Sequence, residues 1–135
     1  MMRAYFTHCS AEKDPTLRAS GQLVTPDKLY TNAHLQQFML RCQETGVPWG
    51  VLSDLYGVYW SHHRYGWYEK HPDTVTPHEA EKIIQTFNHA LKNYDEIWLY
   101  IRPESFHSFY DHVLNTTILT EKIKRFEKLE DIGST

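Results

Sequence analysis

At 135 residues the chain is sized for one domain whose core needs neither disulfide nor metal to hold it. Hydrophobic residues at 41% and charged residues at 23% are ordinary globular proportions, which exclude a low-complexity or collagen-like chain, and a formal net charge of -3 excludes general attraction to a polyanion. No apolar run approaches a membrane span, and no early stretch combines a basic region, an apolar run and a small-residue cleavage site, so a cytoplasmic protein is expected.

In chain order, Arg3 to His8 reads as a first strand, followed by a long connection from Cys9 to Thr31. Leu35, Phe38, Met39 and Cys42 fall at i, i+3, i+4, i+7, which predicts an amphipathic helix over Ala33 to Thr45 that starts near Thr31 or Asn32 and stops at Gly46. Trp49 to Leu52 is a second strand. The stretch from Asp54 to Val75, crowded with tyrosine, tryptophan and histidine, reads as the least regular part of the chain.

Thr76-Pro77-His78-Glu79 has the residues of a capping box with proline at the first helical position, and Ala80, Ile83, Ile84, Phe87 and Leu91 carry that helix to about Asn93. Glu96 to Ile101 is a third strand, ended by Pro103, and Phe106, Phe109, Tyr110 and Val113 form the inner face of the next helix. Ile123, Phe126 and Leu129 suggest a surface helix from Thr120 to about Glu130, and a further strand could lie near Gln22-Leu23-Val24. Strands alternating with helices imply one α/β domain over 1-135: a small, mainly parallel sheet of three or four strands with helices on both faces, a Rossmann-like three-layer sandwich.

In such a sheet, ligands bind outside the carboxyl ends of the strands, so the residues that follow each strand are the candidates. Cys9, Ser53 and Asp54 are the candidate catalytic residues: a thiol whose anionic form Lys13 would favour, and a hydroxyl beside a carboxylate able to act as a base. Ser10, Lys13 and Arg102 are candidate anion contacts, and Tyr30 and Tyr56 candidate stacking walls. Each has a plainer role open to it: Cys9 packed under the sheet edge, Ser10 and Asp54 as turn formers, Arg102 in a surface ion pair. Cys42 belongs to a core stripe. No Cys-x-x-Cys pair occurs, and His62, His63, His71 and His78 match no standard zinc spacing, so no metal ligands are assigned, and a metal-dependent hydrolase using the histidine-rich loop stays open as a third option. Neither the dinucleotide glycine fingerprint nor the phosphate loop is present, and no particular cofactor is implied.

Cys9-Ser10-x-x-Lys13, Leu29-Tyr30-Thr31 ahead of a helix, and Leu52-Ser53-x-x-Tyr56-Gly57 occur in that order. This run resembles a family of small, functionally uncharacterised α/β domains, over most of the chain from Tyr5 to about Leu114. More distantly it is similar to the catalytic core of archaeosine synthase, which modifies a deazaguanine base in transfer RNA; His8 stands here where proline precedes the cysteine in that enzyme. The resemblance implies a site for a nucleotide, nucleobase or related nitrogen heterocycle, serving an enzyme of nucleotide or nucleic-acid modification. A non-catalytic ligand-binding or interaction module is the alternative. Contact with nucleic acid and the oligomeric state stay open, and no membrane partner is expected.

Overall fold

The computed structural model describes residues 1–133. Five strands form one mixed sheet in the order β3-β2-β1-β4-β5: β1 is Arg3–His8, β2 Trp49–Ser53, β3 Gly57–Trp60, β4 Glu96–Tyr100 and β5 Ile123–Phe126. β1 lies at the centre, parallel to both β2 and β4; β5 runs parallel to β4 and only β3 is antiparallel. The α/β class and mainly parallel sheet match the expectation from sequence, with five strands rather than three or four.

The helices are α1 (Pro26–Leu29), α2 (Ala33–Thr45), α3 (Pro77–Leu91) and α4 (Ser108–Thr116). Asn32 caps α2 by accepting from the N–H groups of His34 and Leu35, at 3.0 and 3.3 Å, and left-handed Gly46 ends it. The Thr76–Glu79 capping box of α3 is formed in both directions. Strand alternation sends Tyr5 and Phe6 to opposite faces. Tyr5 joins Trp98 and Phe126 on the face where Phe38 of α2 stacks against Tyr100, whereas Phe6 packs on Trp60 on the face covered by α3 and α4. Right-handed crossovers require this split, because α2 connects β1 leftward to β2 while α3 and α4 carry the chain rightward to β4 and β5.

Three elements differ from the sequence reading. The stretch after Asp54 contains β3, formed because the Ser53 hydroxyl accepts from the N–H groups of Leu55 and Tyr56 and Gly57 takes φ 75, closing a short hairpin loop. Thr120 to Glu130 is not a helix; Thr120–Lys122 is a single 3-10 turn leading into β5. Three apolar residues spaced by three make too narrow a stripe to hold a helix on the core, whereas the open side of β4 offers a full ladder from Ile97↔Ile123 to Tyr100↔Phe126. Lys124 and Arg125 then keep the new edge charged. Near Gln22-Leu23-Val24 there is no ladder, only a bridge between Val24 and Tyr65. No helix among the described residues is long and apolar enough to cross a membrane.

Gly50 is required by close packing at the middle of the sheet. A Cβ there would lie 2.6 Å from the Phe6 ring and 2.9 Å from the Tyr59 carbonyl oxygen. Gly50→Ala is therefore expected to cost about 1–3 kcal/mol, as overpacked cores do, and to lower the thermal midpoint by several degrees. An unchanged melt would mean that Phe6 repacks freely.

Candidate active site

The connections from β1 and β4 leave the sheet in opposite directions, so a crevice opens between their carboxyl ends. A cavity of about 290 Å³ occupies it. Cys9 and Ser10 enter from the end of β1, Asp54 from the end of β2 and Arg102 from the end of β4. His34 comes from the first turn of α2, Tyr110 from α4, and Lys70 and His71 from the connection after β3.

The cavity floor is a chain of three polar groups. The Cys9 thiol donates to Asp54 Oδ1 at 3.5 Å, and the Tyr110 hydroxyl lies 2.9 Å from the same sulfur. Cys9 is held in place by its own N–H, which donates to the Leu52 carbonyl at 2.9 Å and so continues the β1–β2 ladder. Burial pushes the Cys9 thiol up to about 11, with the negative charge of Asp54 as the next cause. Near neutral pH it is a thiol. Lys13 does not make it a thiolate, which corrects the sequence expectation: removal from water outweighs the lysine charge.

Asp54 is 2% exposed, and burial raises its carboxyl above the ordinary range; the Cys9 thiol and the charges of Lys13 and Lys70 pull the other way. His8, which also lines the cavity, is held below its ordinary value chiefly by burial and stacks on Tyr110 with ring centroids 5.2 Å apart. The cavity thus presents a neutral imidazole, a phenol, a thiol and a carboxyl group.

Ser53 does not line the cavity. As the last residue of β2 it turns its hydroxyl inward to cap the hairpin loop and to meet the Tyr68 hydroxyl at 3.1 Å, leaving the next residue, Asp54, to face the ligand space. Tyr30 is fully buried and hydrogen-bonds Tyr68 at 2.7 Å, so it cannot be a stacking wall. Tyr56 is not one either, because it stacks on Tyr65 at 4.3 Å and donates to the Gly66 carbonyl. Lys13 sits over the Tyr68 ring at 4.3 Å, burial lowering its pKa, and lines a shallower neighbouring cavity that shares Ala11, Lys70 and His71 with the first. Lys13, Tyr30, Ser53 and Tyr68 therefore form a wall behind Asp54. Ser10 lines the cavity while its hydroxyl accepts from the Glu12 N–H at 3.2 Å.

Arg102 lines the cavity as expected, but its guanidinium is already paired with Glu104 at 2.7 Å and touches His34. Sequence reasoning assigned Tyr110 to a helix core stripe and singled out neither Lys70 nor Tyr68 as a site residue. The position of His8 at the end of the first strand marks its imidazole alongside Cys9 and Ser10; for Tyr110 the hydrophobic stripe concealed a polar end. Among the described residues one group has donors close enough for a metal, namely His71, Asp73 and His107, whose ligand atoms lie within 4.8 Å of one another.

No family model matches the chain, and no solved structure matches it. Among curated proteins the chain is similar to the 3',5'-cyclic adenosine monophosphate phosphodiesterase CpdA of Vibrio vulnificus (strain CMCP6), 32% identical over 81 residues, or 58% of this chain. The chain spans 30% of that protein's length.

Two outcomes test the floor of the cavity. Iodoacetamide should label Cys9 slowly at pH 7.5 and faster as pH rises toward 11, ahead of Cys42, which is sealed under α2. Mass mapping that finds rapid Cys9 labelling at neutral pH would contradict the protonated thiol. Asp54→Asn should leave the protein at least as stable as the wild type at pH 8. A folded-state pKa raised above 3.8 supplies stability that is full below that value and is lost as pH rises through the folded pKa, so the variant's advantage in melting temperature should grow from pH 4 to pH 8. An advantage that shrinks over this range would mean that the buried carboxylate is stabilised by its partners.

Proposed function

We propose that the protein is an enzyme that binds a nucleotide, nucleobase or related nitrogen heterocycle in the cavity between β1 and β4 and acts on it with Cys9 and Asp54. The observation that carries this reading is the thiol–carboxyl contact on the floor of a cavity at the carboxyl ends of the strands. A volume of about 290 Å³ lies at the low end for ligand pockets, which suits one base or one mononucleotide rather than a dinucleotide. The family resemblance supports the same class, since Cys9 and Ser10 line the cavity while Lys13, Tyr30 and Ser53 build the wall behind it. The partial similarity to a protein named as a cyclic nucleotide phosphodiesterase agrees with a nucleotide-like ligand. Two free cysteines fit a reducing, cytoplasmic setting.

In this reading Asp54 is the general base for Cys9. The carboxylate accepts the thiol proton as the sulfur adds to the carbon of a ring C=N bond, whose π electron pair passes to the ring nitrogen, so no thiolate has to exist beforehand, and the Tyr110 hydroxyl donates to the sulfur as charge develops on it. Arg102 and Lys70 at the mouth receive the anionic part of the ligand, Arg102 exchanging Glu104 for it and Lys70 exchanging Glu79. The existing Arg102–Glu104 pair equally favours a second reading, a module that binds its ligand without turning it over.

Calorimetry with a panel of nucleotides, cyclic AMP, nucleobases and deazaguanines is the direct test. At least one class should bind with one molecule per chain, and Arg102→Ala should weaken a phosphate-bearing ligand about tenfold or more, the worth of one hydrogen bond to a charged group. Cys9→Ser and Asp54→Asn should abolish turnover while leaving binding within a few-fold; binding unaccompanied by turnover in the wild type selects the non-catalytic module. A panel that produces neither heat nor a shift in melting temperature removes the nucleotide reading.

A further inference from the structure

We propose that His71, Asp73 and His107 bind one divalent transition-metal cation of the zinc class at the mouth of the cavity. The three residues come from two segments separated in sequence. His71 and Asp73 belong to the 3-10 turn at Pro72–Thr74, and His107 is the residue immediately before α4. Asp73 joins the two imidazoles: Oδ1 lies 2.6 Å from His107 Nε2 and Oδ2 lies 3.3 Å from His71 Nδ1.

Donors around a tetrahedral zinc ion with bonds of about 2.0–2.1 Å stand roughly 3.4 Å apart, a distance within which each imidazole already reaches a different Asp73 oxygen. The remaining gap, within 4.8 Å, closes by rotation of His71, whose side chain is 62% exposed. Two imidazole nitrogens with one carboxylate oxygen favour zinc and its neighbours over magnesium or calcium, which take oxygen donors. Three protein donors leave a fourth position open. His71 and His107 both line the cavity, so that position faces the ligand space.

The rings are positioned by helix capping, which is why the sequence spacing concealed them. His107 Nδ1 accepts from the Phe109 N–H at 2.9 Å and presents Nε2 to Asp73, and His71 Nδ1 accepts from the Asp73 N–H at 3.1 Å. Binding a cation moves the His107 proton from Nε2 to Nδ1 and gives up these cap bonds, each worth far less than a metal–nitrogen bond. In the metal-free protein the same contacts tie the turn to α4. The alternative is that they do nothing else.

The test uses metal alone, so it stands apart from the nucleotide reading. Zinc chloride titrated into chelator-treated protein at pH 7.5 should bind with one ion per chain and raise the melting temperature, and cobalt chloride should give the intense visible absorption of a four-coordinate site. Asp73→Asn and His71→Ala, which give up cap contacts at exposed side chains, should lower the metal-free melting temperature by no more than a few degrees, lose the cobalt spectrum and weaken zinc binding at least tenfold. A paired His62→Ala, His63→Ala variant should bind as the wild type does. The proposal is overturned if zinc does not bind, if either single substitution leaves the affinity within threefold of the wild type, or if the His62 and His63 pair proves to be what holds the ion.

Discussion

The parallel pairing of β1 with β2 on one side and β4 on the other is the constraint from which the site follows. It runs from Tyr5↔Trp49 to His8↔Leu52 on one edge of β1 and from Arg3↔Glu96 to Phe6↔Leu99 on the other. Because the connections from β1 and β4 must lie on opposite faces, a crevice is left between the ends of these strands. The same ladder carries on past the strand, where the Cys9 N–H reaches the Leu52 carbonyl, and this sets the thiol at the cavity floor. Were β4 to pair elsewhere, Cys9 and Arg102 would share no space.

The floor itself is costly to maintain. A carboxyl group at 2% exposure with a thiol as its side-chain hydrogen-bond partner is poorly compensated for the loss of water, and Cys9, Tyr110 and His8 are all shifted toward their neutral forms by the same burial. A core built only for stability would place an apolar residue at 54. Ionisable groups held where the fold gains least from them are what the proposed function calls for.

The connection after β3 divides into two parts with different roles. Tyr65 and Tyr68, with Tyr56 from the hairpin loop and Tyr59 from β3, pack against one another and seal the end of the sheet, and the Val24–Tyr65 bridge ties this cluster to the connection before α1. Lys70, His71 and Pro72 follow and form one side of the cavity. Tyrosines thus serve packing at one end of the segment while Lys70 and His71 border the ligand space at the other, a division set by which side of the sheet end the chain passes.

The α/β class, the first two strands, the capped helices α2 and α3, and the importance of the strand ends were all legible in the sequence, because period, capping residues and glycine stops act within a few residues of one another. Cys9, Asp54 and Arg102 were legible as cavity-lining residues for that reason: each lies within two residues of the end of a strand. β5 was not legible, since four residues with two apolar positions become a strand only when the open edge of β4 is there to pair with them. Nor could local sequence reveal that Ser53 turns inward while Asp54 faces the cavity, that burial rather than Lys13 governs the Cys9 thiol, or that His107 meets Asp73 across 34 positions. Those outcomes depend on water exclusion and on contacts between distant segments, and both exist only once the sheet has brought the strand ends together.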